Sequence, residues 1–334
     1  MMPSTRLLLS LLLFLTSHSG LVQSASASGP TLTTAYDYHL LDQTYQAIAL
    51  PELVAALQDS DVIFIGEYHG NHASHLLQMQ LFAALHQQQA SQATILSMEM
   101  FNRDQQAILD RYMEGDIGER TLIDKAPTWK NYRASYRPLV EYAKQHQIPV
   151  IAANAAADLI RCIGRQGSDY IDKLTAEEKR YIASQPFAEV PNYKAKFMGF
   201  MAGSNHLSRE RAHQSYLAQL ARDNTMAEAI ATALAQTPNS QVIHLNGTFH
   251  SAEHLGTVGA LKRLNPDLKL SVITPIYPQD WQDAKAHAQC EKPHPNEFYY
   301  LLQPQPRDFV STTERDQAYQ ALFDQAKEKA KACR

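Results

Sequence analysis

Short apolar runs recur along the chain, each followed by a longer stretch whose apolar residues keep helical spacing. The first run, Val62-Ile63-Phe64-Ile65, suits a strand covered on both faces, because four consecutive apolar side chains leave no polar side to show water. Gly66 ends it, and Glu67, Tyr68 and His69 follow in a turn. Gly70 then offers a flexible joint and Asn71 a helix N-cap, ahead of a helix carrying Leu77, Leu81, Ala84 and Leu85. The same reading gives strands at Ala93–Met98, 149–153, Gln241–Leu245 and Leu268–Thr274, with helices at Glu52–Gln58, Asp104–Met113 and Asn131–His146. The longest helix, Ser208–Ala235, spaces Tyr216, Leu217, Leu220, Met226, Ile230 and Leu234 along one face. Strands alternating with helices predict an α/β fold, a largely parallel β-sheet flanked by helices.

Residues 155–203 break that rhythm and predict a small all-helical subdomain inserted in the α/β domain, which spans 54–276. Thr175 and Glu178 form a capping box that is expected to open a helix at Lys179–Ser184. Beyond two prolines comes Tyr193-Lys194-Ala195-Lys196-Phe197-Met198, a mixed basic, aromatic and sulfur segment fit to cover a flat apolar ligand, with Lys194 or Lys196 meeting its acidic groups. Residues 28–53 read as a polar leader and 277–334 as a C-terminal extension, with Phe298–Leu302 an edge strand and Glu314–Lys331 an amphipathic helix.

Residues 1–27 have the form of a signal peptide: Arg6 in the n-region, an apolar Leu7–Leu15, and Ala25-Ser26-Ala27 as the cleavage site. The apolar stretch is too short to span a bilayer, and no Cys near the cleavage point supports a lipid anchor. A periplasmic, soluble protein is the expectation. A net charge of −4 gives no reason to expect a nucleic-acid partner. In an oxidising compartment Cys290 and Cys333 are the expected disulfide, leaving Cys162 as a buried thiol. There is no CxxCH for covalent haem attachment and no CxxC.

The polar residues at the strand ends carry the candidate chemistry. Glu67 and His69 follow the first strand and Glu99 the second, which a βαβ connection makes parallel neighbours; His250 follows the fourth. Glu67, His69, Glu99 and His250 can thus converge as mixed N/O ligands for a divalent metal ion or as an acid/base set, with His72 and His75 close by. Trp129, Tyr132 and Tyr136 can wall a pocket. His250 to His254 also reads HxxEH, an inverted zinc-peptidase pattern, although 14 His make chance matches common. No GxSxG or glycine-rich phosphate loop is present.

Two Gly-x-x-His handovers, Gly66–His69 and Gly247–His250, frame this arrangement. With Glu99, the stretch Tyr136–Asn154 and the helix around Tyr216–Ile230, they make the chain resemble ChaN-type haem-binding uptake proteins of the Tiki superfamily, over roughly Val54–Ile276. The chain differs in Gly70, where the family more usually has Asp, in Thr248-Phe249 for the usual Asn-x of the second loop, and in lacking a lipobox Cys. The resemblance implies non-covalent haem bound near the helical subdomain, for iron uptake, with haem receptor or transporter components as further partners and a homodimer as one arrangement. Haem needs an axial donor, an apolar slot and cations near its propionates. Tyr193, Tyr216, Tyr68 and His206 are the candidate donors and Lys196 a propionate partner. The alternative implied by the same kinship is a metal-dependent hydrolase using the Glu/His cluster. A third reading has that cluster only bracing its loops by hydrogen bonds, with the C-terminal helix binding a partner protein.

Overall fold

The computed structural model describes residues 31–88, 92–202, 208–287 and 294–333. The signal segment 1–27, His206 and Cys290 lie outside them. Seven strands form one sheet: β1 (Tyr38–Leu41), β2 (Val62–Glu67), β3 (Ala93–Asn102), β4 (Val150–Asn154), β5 (Ser240–Gly247), β6 (Leu270–Ile276) and β7 (Glu297–Leu302). Their spatial order is β1-β7-β6-β2-β5-β3-β4, and β1 alone runs antiparallel, on β7. The fold is the predicted largely parallel α/β sheet. No described helix is long and apolar enough to cross a membrane.

Every residue of β2 and β5 is buried, because helices cover both faces. Ile63 and Ile65 join the core under α1 (Leu50–Leu57), α2 (His72–Gln88), α3 (Gln106–Glu114), α4 (Glu119–Lys125) and α5 (Arg137–Gln145). Val62 and Phe64, pointing the other way by strand alternation, join the core of the opposite face. That core includes residues of α7 (Tyr193–Ala202), α8 (Arg209–Gln236) and α9 (Gly256–Leu264). Helix α6 (Ala157–Gln166), with three-ten turns at Ser168–Lys173 and Glu178–Tyr181, builds the insertion over 155–203 and packs on α8. The capping box forms there, with the Glu178 amide donating to Thr175 Oγ1 at 3.2 Å and the Thr175 amide to Glu178 Oε2 at 2.8 Å. It opens a single three-ten turn instead of a helix. The remaining helices are α10 (Pro278–His287) and α11 (Thr312–Ala330).

Three expectations are corrected. First, β5 lies between β2 and β3, so Glu67 and Glu99 lie on strands that are not neighbours, and β3 runs past Glu99 to Asn102; the strand carrying the second Gly-x-x-His loop slots between them. Second, Phe298–Leu302 is not an edge strand, because β1, from the stretch read as a polar leader, pairs outside it. Third, the disulfide joins Cys162 to Cys333, 171 residues apart, with Cα atoms 5.5 Å apart. Sequence spacing favoured the cysteines flanking one segment, whereas the chain end returns to α6, where Cys162 lies.

Successive connections run from β2 to β3 to β4 in one direction across the sheet, and from β5 to β6 in the other. The carboxyl ends of β2 and β5 therefore form a topological switch point, the place where open α/β sheets bind ligands.

Candidate functional site

Glu67 closes β2 and is 1% exposed. Its Oε1 accepts from the Tyr136 hydroxyl at 2.6 Å and from His69 Nδ1 at 2.7 Å. Its Oε2 accepts from Gln78 Nε2 at 2.8 Å, with His75 Nδ1 at 3.5 Å. A carboxylate so fully engaged is a rigid anchor for His69. The His69 side chain is 46% exposed and meets Trp129 edge-on, with ring centres 4.9 Å apart. Its pKa is raised: burial pulls it down, but Glu67 and Glu99 outweigh that. With Nδ1 committed to a carboxylate, Nε2 is the nitrogen left for chemistry, an assignment that follows from the hydrogen-bond network.

A second couple stands across Gly247. The Glu99 Oε2 accepts from the Gly247 amide at 2.6 Å, and its Oε1 faces His250 Nε2 at 3.5 Å. His250 Nδ1 meets Asp223 Oδ1, on α8, at 2.7 Å. Asp223 is fully buried and also accepts from Thr257 Oγ1 at 2.8 Å and the Tyr193 hydroxyl at 2.7 Å. Burial lowers the His250 pKa, but Asp223 and Glu99 outweigh it and push it up to about 10. Burial likewise opposes ionisation of Glu99, yet His250, His69 and the Gly247 amide hold it well below the usual carboxylate range. The raised pKa favours the charged imidazolium, with Nδ1 on Asp223, Nε2 facing Glu99, and Gln219 Nε2 3.3 Å from Nδ1. In that form it can steady negative charge.

Glu67 with His69 and Glu99 with His250 are two separate couples, and among the described residues no group of three or more His, Cys, Asp or Glu is placed to hold a metal ion. Nor does HxxEH make a helical pair, because Glu253 takes a left-handed conformation (φ 64°) between the two histidines, and His254 stacks instead on His294.

Each tyrosine expected as an iron donor has a partner for its hydroxyl. Tyr193 is fully buried with its hydroxyl on Asp223. Tyr216 is fully buried with its hydroxyl on Glu189. Burial, then the neighbouring carboxylate in each case, pushes both phenols far above their ordinary range. Tyr68 stacks on Tyr277 and donates to the Pro275 carbonyl at 3.1 Å; burial pushes its pKa up to about 12. Lys196 Nζ donates to the Ala252 carbonyl at 2.8 Å, lies 3.4 Å from Glu253 and sits 5.2 Å from the Phe249 ring centre.

Sequence reasoning missed Asp223, which ties His250 to α8. Its signal was present: an acid inside the apolar row of α8, three residues after Leu220 and three before Met226, can be tolerated there only with partners.

The sequence profile of the haem-binding uptake family ChaN, Tiki superfamily, matches residues 53–261. The chain belongs to that family. Among solved structures, ChaN of Campylobacter jejuni, which binds heme cofacially, superposes with a TM-score of 0.61 at 18% identity, over 82% of this chain and 100% of that one. A Bacillus cereus protein matches with a TM-score of 0.42 at 16% identity, over 72% of each chain. A mutant of the erythromycin esterase EreC in its open conformation gives 0.42 at 10% identity, over 84% of this chain and 86% of that one. No curated protein sequence matches.

The residues of this ChaN-family chain fit a haem. Phe200, on α7, is 70% exposed and packs 5.3 Å from Phe249. Met198, Met201 and Phe249 are partly buried against the same core. Lys196 lies over Phe249 and Lys194 over Tyr216. An exposed aromatic and thioether wall with lysines beside it supplies the apolar face and cations a porphyrin dicarboxylate needs. Phe249 directly precedes His250, so the wall adjoins the strand-end turn that carries His250.

Proposed function

We propose that the protein binds haem non-covalently at this edge, in the periplasm, as part of haem and iron uptake. The observation that carries the reading is the exposed Phe200 of α7 packed on Phe249, which directly precedes His250, in a chain of a haem-binding uptake family. Apolar burial of the macrocycle on this wall supplies affinity. His69, held through Nδ1 by Glu67, presents Nε2 as the axial donor; the carboxylate fixes the ring and raises its basicity, as with metal-bound histidines generally. His206, four residues beyond α7 in the sequence, is the competing donor. Bound haem supplies the iron that uptake requires, and it is cargo, destined for a receptor or transporter. The test is a hemin titration of the exported chain and of Phe200→Ser, followed at the Soret band. Saturable binding weakened about tenfold in the variant, a change of about 1.4 kcal/mol, supports the reading; no saturable binding by the native chain ends it.

One observation favours a second, hydrolytic reading. A carboxylate on Nδ1 and a free Nε2 is the arrangement of a general base, and His69 has it. In that reading His69 takes a proton from water while the cationic His250 steadies developing negative charge. A screen of ester and peptide substrates, with His69→Ala as control, tests it.

A further inference from the structure

Arg222 precedes Asp223 on α8, is half-buried, and its guanidinium, whose charge burial disfavours, meets Asn154, the last residue of β4. A single hydrogen bond is made there, from Nη1 to Asn154 Oδ1, at 3.4 Å. Among the described residues no carboxylate comes within 4.0 Å of it. A guanidinium has five N–H donors in a planar fork, so most of this one is unused. Asn154 is itself fixed: its Nδ2 donates to the Glu99 carbonyl at 3.1 Å and its Oδ1 also accepts from the Ala155 amide at 2.9 Å.

Arg103 shows what a satisfied arginine looks like in the same protein. It donates to Glu228 at 3.0 Å, to the Thr225 carbonyl at 2.8 Å and to the Ile182 carbonyl at 3.4 Å. Arg103 therefore ties segments together, whereas Arg222 ties almost nothing. Burial works against its charge, and only the more distant Glu99 and Asp223 support it. Neither carboxylate is free to turn to it, because Glu99 is held by the Gly247 amide and Asp223 by His250, Thr257 and Tyr193. A recessed cation kept without a counter-ion costs free energy unless an anion completes it.

We propose that Arg222, oriented by Asn154, is a carboxylate-binding residue of the ligand site, and that the carboxylate it receives is a haem propionate. The guanidinium fork matches a carboxylate bidentately, which a lysine cannot do. Position supports this pairing: Arg222 neighbours Asp223, which holds His250, and its partner Asn154 donates to the backbone of Glu99, so the free fork stands close to the Glu99–His250 couple. The inference rests on the haem reading and adds to it the residue that recognises the acid edge of the porphyrin.

The experiment compares hemin with haem dimethyl ester, whose propionates carry no charge, in Soret titrations of native protein, Arg222→Gln and Arg222→Lys. We expect the native chain to prefer hemin over the diester by about tenfold and Arg222→Gln to lose about tenfold for hemin alone, with Arg222→Lys between. The diester arm on native protein needs no variant, so it stands even if a substitution impairs folding. Hemin binding that is indifferent to esterification, or an Arg222→Gln loss equal for both ligands, overturns the proposal and leaves haem binding intact. No binding of either porphyrin by the native chain overturns both.

Discussion

Replacing Gly247 by Ala probes how the two halves of the site are fitted together. A β-carbon at Gly247 would stand 2.6 Å from His69 Nε2, 2.7 Å from its Cε1 and 3.6 Å from Glu99 Oε2. The backbone there (φ −58°, ψ 133°) suits any residue, so the clash is with the imidazole and not with the turn. Losing a glycine also restricts the unfolded chain, which by itself stabilises by about 0.4–1 kcal/mol. Against this, the half-exposed ring escapes only by leaving Glu67, and a hydrogen bond to a charged group is worth about 1.5–3 kcal/mol. The net expectation is a loss of about 1–2 kcal/mol, seen as a lower urea midpoint at unchanged slope. In histidine NMR the His69 pKa should fall back toward the ordinary value. Repeating Gly247→Ala in a His69→Ala background should cost nothing or stabilise slightly, since the clashing ring is gone. An equal cost in both backgrounds would refute the reasoning, because the added methyl would then be meeting something other than His69.

Other outcomes follow from the same geometry. The folded pKa of His250, about 10, lies above its ordinary 6.5, so its stabilisation is complete below pH 6.5 and fades as pH rises toward 10; urea midpoints should fall across that range, and His250→Gln should flatten the fall. Glu99, held below its ordinary 4.5, contributes in the opposite sense, its stabilisation being lost as the solution is acidified below pH 4.5, and Glu99→Gln should remove part of the acid limb. Tyr193→Phe should cost about 1–3 kcal/mol by taking a donor from buried Asp223 while leaving the hemin spectrum unchanged, read by denaturation and absorbance; a lost spectrum would restore Tyr193 as a ligand. Alkylation before reduction should mark one of the three cysteines, and a non-reducing peptide map should join Cys162 to Cys333.

The sheet was readable because its strands are short, continuously apolar and separated by helical spacing, which is what burial on both faces demands. Strand order was not. Nothing local in the Gln241–Leu245 run says that it will slide between β2 and β3, since that choice depends on which helices cover which face. The consequence reached the site: Glu67, His69, Glu99 and His250 do gather at one edge, but as two couples divided by Gly247. Their coupling partners lie far off in sequence, with Tyr136 on Glu67 and Asp223 on His250. The surroundings of the buried tyrosines were hidden for a related reason. Tyr193 and Tyr216 carry ligand chemistry in isolation, but an apolar helix row takes their rings inward and neighbouring acids take their hydroxyls.

The decisive measurement is the electronic absorption and EPR spectrum of the ferric haem complex, for native protein, His69→Ala and His206→Ala. The account predicts a saturable complex with a histidine-ligated spectrum, lost or changed to that of water-ligated haem in His69→Ala and unchanged in His206→Ala. A complex whose spectrum is the same with and without His69 would contradict it, and would move the iron away from the Glu67-anchored edge.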